Sequence, residues 1–272
     1  QGFRPLHRIG RAIEGRSASN LAPLPASPYV ELAPVVTAVN ALMARLQERL
    51  DREREFLLDA AHELKTPLAV MQLNAESVLK APDPQRAEAA RQRLSEGVQR
   101  ATRTVHQLLS LARSGGDREN LELREHDLVA LTRDRVVLAL PLALQRQIEI
   151  ELQAPEACPL RMNRESMGSL IDNLVDNAVK YSPAGSQVLV RIARDEAGQL
   201  SLSVSDQGPG IPAALRQQVF ERFFRLPGQE QPGSGLGLAI VERAAAQHGG
   251  RVVLGEGCGQ HGLCATLRLG SL

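Results

Sequence analysis

Apolar residues recur through the first half of the chain at the spacing of a helical seam. From Leu57 onward, Leu57, Ala61, Leu64, Leu68, Met71, Ala75 and Val78 are separated by 4, 3, 4, 3, 4 and 3 residues, which keeps one narrow stripe on one side of an α-helix. Upstream, Val39, Leu42, Leu46 and Leu50 run 3, 4 and 4, a slip of phase near Leu50 of the kind a stutter produces. No Pro or Gly lies between Pro34 and Pro67, so the pattern predicts one helix from Pro34 to about Lys80, roughly 70 Å long. The segment 81–84 (APDP) breaks it. A second helix over 86–113 carries Leu94, Val98, Ala101, Val105, Leu108 and Ala112 at spacings of 4, 3, 4, 3 and 4. Two antiparallel helices with matching seams make a hairpin that leaves apolar surface uncovered, and two copies closing into a four-helix bundle is the economical solution. A homodimer is therefore expected.

Beyond residues 114–120 (SGGDREN), a linker by composition, the period changes. Segments 147–152, 187–194, 200–206, 251–255 and 263–269 alternate as half-buried strands, and helical stretches fall near 128–144, 164–181 and 235–248. The expected fold is an all-α helical hairpin followed by an α+β sandwich, one sheet covered on one face by helices. At the other end, residues 14–34 are rich in Ser, Pro, Ala and Gly and read as a connector following a helical piece at Leu6–Ile13. The chain opens at Gln1 rather than Met and reads as a piece of a longer protein.

Composition narrows the chemistry. Of 272 residues, 43% are hydrophobic and 23% charged, enough for a real core. Lys plus Arg number 32 and Asp plus Glu 31, so no global field attracts a polyanion, and direct nucleic-acid binding is not expected. The 5 Phe, 2 Tyr and absence of Trp leave few stacking platforms. Three Cys (Cys158, Cys258 and Cys264) without CxxC spacing argue against a disulfide framework or a zinc site and fit a reducing cytoplasm.

Four segments carry chemistry. In HELKTP (His62–Pro67), Ala61 and Leu64 are seam positions, so His62 stands one residue off the seam and faces solvent. A neighbouring Glu63 carboxylate can hold one imidazole nitrogen and leave the other lone pair as a nucleophile. Pro67 removes the helical partner of the Glu63 carbonyl and should bend the helix just after the His. In DNLVDNAVKYSP (172–183), helical geometry puts Asn177 about 40° and Lys180 about 20° from Asn173. Two amides and a cation on one face suit Mg²⁺ and phosphate, although a merely solvated face has the same pattern. DQGPGIP (206–212) places Asp206, Gly208 and Gly210 directly after a strand. GSGLGLAIV (233–241) opens a helix with Gly233, Gly235 and Gly237, where backbone approaches a ligand closely and a helix N-terminus favours an anion. That run follows a loop rather than a strand, which excludes a dinucleotide fingerprint. FERFFR (220–225) groups three of the five Phe and suits a hydrophobic latch under a loop.

In this order, HELKTP, DNLVDNAVKY, DQGPG with FERFFR, and GSGLGL closely resemble the sensor histidine kinases of bacterial two-component systems over about residues 51–272. Residues 1–50 more loosely resemble the HAMP signal-relay module. The resemblance implies four parts: a relay segment (1–50), a dimerisation and phosphoacceptor hairpin (51–113), a linker (114–120) and a Bergerat-type ATP-binding domain (121–272). It implies that His62 is the phosphoacceptor, Glu63 its acid/base partner, and Thr66 the residue that positions water for dephosphorylating a response regulator. Asn177 is the implied Mg²⁺ ligand, with Asn173, Lys180 and Tyr181 beside the nucleotide and Asp206 reading the adenine amino group. Gly208, Gly210, Gly233, Gly235, Leu236 and Gly237 would shape the pocket and lid, and Arg222 or Arg225 would approach the γ-phosphate. The implied cofactors are ATP and Mg²⁺. The implied partner is a response regulator with an acceptor aspartate, and the implied setting is the cytoplasmic side of a bacterial inner membrane, with the anchor preceding residue 1. The segment between Leu226 and Gly233 is short for such a lid. Two rival classes share part of the pattern: a Bergerat-fold ATPase that is not a kinase, which has no need of HELKTP on a heptad helix, and a dimeric nucleotide-sensing scaffold, which would form no acid-labile phosphate.

Overall fold

The computed structural model describes residues 20–25, 29, 32–80, 83–113, 122–195, 198–228, 231, 233–257 and 261–270. The opening helix expected at 6–13, the linker 114–120 and Cys258 lie outside these described residues. Two compact units divide the chain, Gln1–Lys65 and Thr66–Leu272.

Helix α1 spans Ala33–Leu79 and α2 spans Pro84–Arg113, within two residues of the bounds the seam predicts at each end. Pro67 lies inside α1. At its start α1 is held by its own connector. Asn40 offers a complete amide, its Oδ1 accepting from Leu24 N–H at 2.7 Å and its Nδ2 donating to Leu24 O at 3.0 Å, while Leu24 and Val36 are buried. The seam is only partly covered. Met71, Ala75 and Val78 are half-buried, whereas Leu57 and Leu68 are 60% and 56% exposed, as expected of a stripe that waits for another helix.

The second unit builds a mixed sheet. After the short strand β1 (Arg124–Asp127) come α3 (Leu128–Gln145), β2 (Glu149–Gln153), β3 (Pro159–Met162), α4 (Arg164–Tyr181), β4 (Gln187–Arg194), β5 (Leu200–Ser205), α5 (Gly237–Gln247), β6 (Gly250–Glu256) and β7 (Leu263–Leu269). The main sheet has five strands in the order β2-β4-β5-β7-β6, with β2 and β4 parallel and the other neighbours antiparallel. Strand alternation sends Val188, Val190 and Ile192 of β4, Leu200, Leu202 and Val204 of β5, and Ala265, Leu267 and Leu269 of β7 into one core. Leu128, Val136, Leu170, Ile171, Leu174 and Val241 of the three helices close that core, each fully buried aliphatic side chain contributing about 1.5–3 kcal/mol before entropy.

Three details differ from the pattern reading. Strands β1 and β3 were not foreseen. They form a separate antiparallel pair, Arg124 opposite Met162 through Asp127 opposite Pro159; β1 is wholly polar, and β3, although Leu160 and Met162 alternate inward, is only four residues long. Strand β2 starts two residues late because Gln147 turns at φ 58°. Helix α5 starts at Gly237 rather than 235 because Gly235 has φ +69°, which no right-handed helix admits.

Candidate functional site

Helix α4 is fixed at both ends. Its N-cap Asn163 accepts from Ser166 N–H through its side chain at 2.9 Å, and the backbone N–H of Asn163 donates to His248 Nε2 at 3.1 Å. His248 Nδ1 lies 2.7 Å from Ala244 O, which assigns the proton to Nδ1 and ties the end of α5 to the start of α4. Burial pushes the His248 imidazole below its ordinary value. At the far end Arg146 donates to Val179 O at 3.3 Å, to Lys180 O, and to Gln231 Oε1 at 3.2 Å, placing a cation where the helix dipole is negative.

The amide face predicted for α4 exists, and it is not a solvated face. Asn173 is 8% exposed. Its Nδ2 donates to Ser169 O at 2.7 Å, which points Oδ1 away from its own helix. Asn177 is half-buried and makes no side-chain hydrogen bond among the described residues. Directly against both lies Gly237, the first residue of α5. A Cβ there would sit 3.1 Å from Asn173 Oδ1 and 3.3 Å from Asn177 Nδ2. The N-cap position, Leu236, supplies no side-chain hydrogen bond, so the first amides of α5 meet two carboxamides at an uncapped positive helix end.

One turn further, Lys180 Nζ donates to Tyr181 Oη at 3.0 Å and stands 4.6 Å from the Tyr181 ring centre. A Cβ on Gly233 would lie 2.5 Å from that ammonium. Gly208 in turn packs on the end of α4, where a Cβ would be 2.7 Å from Tyr181 O. This brings in Asp206, which is 6% exposed. Its Oδ1 accepts from Gly208 N–H at 2.8 Å and Leu263 N–H at 3.0 Å, while Oδ2 has no hydrogen-bond donor among the described residues. Burial pushes this carboxyl up, and the two backbone donors pull it down. Asp172 and Asp176, on the next face of α4, are also pushed up by burial, Asp172 to about 6, with Arg135 and Arg103 respectively opposing. Arg135 reaches Asp172 at 3.3 Å.

The FERFFR segment fastens the Gly-rich loop. Phe220 and Phe224 pack on the core, and Phe223 N–H donates to Gly235 O at 3.0 Å. Gly235 touches the Phe223 backbone so closely that a Cβ would fall 2.6 Å from its carbonyl carbon. Gly210, at φ +71°, makes a similar approach to Gly262 O.

The structure thus brings together Asn173, Asn177, Lys180, Tyr181, Asp206, Gly208, Gly233, Gly235 and Gly237. Leu236 is fully buried, so its side chain anchors the loop rather than facing a ligand. Arg222 and Arg225 are exposed, and Arg225 donates to Gln231 O at 2.9 Å. On α1, His62 and Thr66 are exposed and Glu63 is half-buried. Sequence reasoning missed Arg146, His248 and Gln107. The Gln107 amide reaches Asn173 Oδ1 from 66 positions away, and no local pattern marks it.

Comparison with known proteins agrees with this layout. Residues 162–270 match the family described as histidine kinase-, DNA gyrase B-, and HSP90-like ATPase, residues 52–117 the His Kinase A (phospho-acceptor) domain, and residues 3–48 the PhoQ-like sensor protein HAMP domain. The swarming motility regulation sensor protein RssA of Serratia marcescens is 34% identical over 262 residues, 96% of this chain and 56% of that protein. The sensor protein QseC of Salmonella typhi is 39% identical over 258 residues, 93% of this chain and 56% of its own length. The chain spans about half the length of these curated relatives. Among solved structures, histidine kinase ThkA in complex with the response regulator protein TrrA superposes with a TM-score of 0.65 at 21% identity, covering 82% of this chain and 63% of that one. That likeness concerns the fold. With all three family models found in order along one polypeptide, the chain belongs to the sensor histidine kinases of two-component systems.

Proposed function

We propose that this chain binds ATP with Mg²⁺ between α4 and α5, phosphorylates itself on His62 and passes the phosphoryl group to an aspartate of a response regulator. The observation that carries the reading is the meeting of the uncapped N-terminus of α5 with Asn173 and Asn177, bordered by the Lys180 ammonium and, through Gly208, by Asp206. These groups fit the proposed ligands. Two amide oxygens and no His/Cys/Asp/Glu metal cluster among the described residues suit a hard cation shared with phosphate rather than a caged metal. A Cβ at Gly237 would fill the cradle between the two amides. Asp206 Oδ2 is an acceptor suited to an exocyclic amine, the group that separates adenine from guanine.

Asn177, seconded by Asn173, would hold Mg²⁺, which supplies neutralisation of charge on the phosphates. Lys180 adds a second positive charge, and the α5 amides orient anionic oxygens. A ring nitrogen of His62 then forms the P–N bond as the bond between the γ-phosphorus and the bridging oxygen of departing ADP breaks. Glu63 holds and relieves the proton on the other ring nitrogen. The exposed hydroxyl of Thr66, one helical turn after His62, supports a second activity, the positioning of water for hydrolysis of the regulator's acyl phosphate. The exposed seam side chains Leu57 and Leu68 support a homodimer closed as a four-helix bundle. The HAMP match supports a membrane-anchored parent with this portion on the cytoplasmic side. No helix among the described residues is long and apolar enough to cross a membrane.

The test is incubation with γ-labelled ATP and Mg²⁺. Acid-labile label on the wild-type chain that vanishes in His62→Gln, with nucleotide binding retained, is the expected result. Label that survives the substitution overturns the assignment of His62, and absence of nucleotide binding overturns the site.

A further inference from the structure

Gln107 lies on α2, outside the four motif segments, yet its carboxamide joins two parts of the nucleotide site. Its Nε2 donates to Asn173 Oδ1 at 3.1 Å, and its Oε1 accepts from Ser234 Oγ at 2.9 Å. Ser234 Oγ in turn accepts from Leu236 N–H at 3.3 Å, at the foot of α5. An amide suits this place because it presents a donor and an acceptor at one planar end. Asn173 Nδ2 is already committed to Ser169 O, so Oδ1 is the atom Asn173 has to offer a ligand, and Gln107 occupies it. The surrounding turns of α2 are docked as well. Leu108 and Leu111 are 8% and 3% exposed, α2 packs against α5, and the positive charge of Arg103 acts on Asp176, one turn from Asn173.

We propose that Gln107 is a latch that holds α2 on the ATP-binding domain through the nucleotide site itself, so that the latch and the nucleotide compete for Asn173 and for the Ser234 loop. The inference rests on the nucleotide reading of the site. It goes beyond that reading by making occupancy of the site report directly to the helix that follows the phosphoacceptor helix. Linkage then works in both directions: a nucleotide that displaces Gln107 loosens α2, and removal of Gln107 tightens nucleotide binding by the same factor.

The experiment uses the full chain. Binding of Mg²⁺ and the non-hydrolysable analogue AMPPNP is measured by calorimetry for wild type, Gln107→Ala and Gln107→Glu, with hydrogen exchange followed over residues 101–111 with and without the analogue. Gln107→Glu keeps the length of the side chain but sets an acceptor against Asn173 Oδ1. Gln107→Ala loses both part-buried hydrogen bonds, which corresponds to an affinity gain of about five- to thirtyfold, whereas Gln107→Glu still accepts from Ser234 Oγ and should gain less. Exchange over residues 101–111 should speed up when wild type binds the analogue, and should already be fast and indifferent to it in Gln107→Ala. Unchanged or weaker affinity in Gln107→Ala, or slower exchange of wild type on binding, overturns the latch alone. No binding by wild type overturns the nucleotide reading and the latch with it.

Discussion

Gly235→Ala should break nucleotide binding while leaving the domain folded. Gly235 sits at φ +69°, where a residue bearing a Cβ pays about 1–2 kcal/mol. The added carbon would lie 2.6 Å from the carbonyl carbon of Phe223, 2.7 Å from its Cα and 2.8 Å from its oxygen. All three are backbone atoms, so no rotamer change relieves the contact, and the strands of the loop must part by about 0.8 Å to reach ordinary contact. That opening stretches the Phe223 N–H bond to Gly235 O, now 3.0 Å, worth about 1 kcal/mol net. Together these come to about 2–3 kcal/mol borne by the bound form of the loop, a loss of about 30- to 150-fold in affinity for an ATP analogue by calorimetry. The melting temperature should fall by only a few degrees, since the loop can detach without unfolding the sheet. Gly233→Ala is the control. Its Cβ would meet the Lys180 ammonium at 2.5 Å and no backbone atom within 4 Å, and a lysine stem can swing aside, so affinity should stay within about fivefold of wild type. Wild-type affinity in Gly235→Ala would refute the reasoning, as would a larger loss in Gly233→Ala than in Gly235→Ala.

Other perturbations separate the remaining contacts. Because burial holds His248 below the 6.5 of an unfolded chain, its contribution to stability is complete above pH 6.5 and is lost as pH falls towards the folded value. Melts between pH 5 and 8 should show that slope in wild type and a flatter one in His248→Gln. Arg146→Ala strips Val179 O, Lys180 O and Gln231 of a shared donor and should cost about 2 kcal/mol, or about 4–8 °C in a melt; Lys at 146 should recover less than half, because an ammonium lacks the forked geometry. Asp206→Asn should cut the preference for ATP over GTP about tenfold or more in a competition assay, and an unchanged preference would remove Asp206 from the adenine contact. Leu57→Asp combined with Leu68→Asp should convert a dimer to a monomer in sedimentation, since both side chains are more than half exposed in the single chain.

Most of the architecture was legible because its long elements carry strong local signals. Helix α4 begins and ends where the sequence places it, since Asn163 caps one end and Pro183 follows the other. Strands β4 and β7 likewise coincide with their alternating runs. The misses came where a distant partner or a single backbone angle decides the outcome. Arg124–Asp127 becomes a strand only because Pro159–Met162 lies beside it. Gln147 delays β2 by a left-handed turn that its residue type does not announce, and among the three glycines that open α5 it is Gly235 that takes the left-handed turn.

The site shows the same division at the level of atoms. The motif segments named the side chains that the structure brings together, because their spacing puts Asn173, Asn177 and Lys180 on one helix face and glycines at the turns beside it. What they could not name is which atom of each side chain remains for a ligand, since that is decided by commitments to backbone and to distant side chains. Asn173 spends its NH₂ on Ser169 O, Asp206 spends one oxygen on two backbone N–H groups, and Lys180 spends a donor on Tyr181. Each tether costs the side chain its freedom before any ligand arrives, so the entropy of ordering is met during folding rather than at binding. The same tethers explain why Gln107 matters. Once Asn173 can turn only Oδ1 outward, an amide delivered by α2 needs a single hydrogen bond to compete for that atom. A site this committed can be gated by one side chain that the local sequence gives no reason to notice.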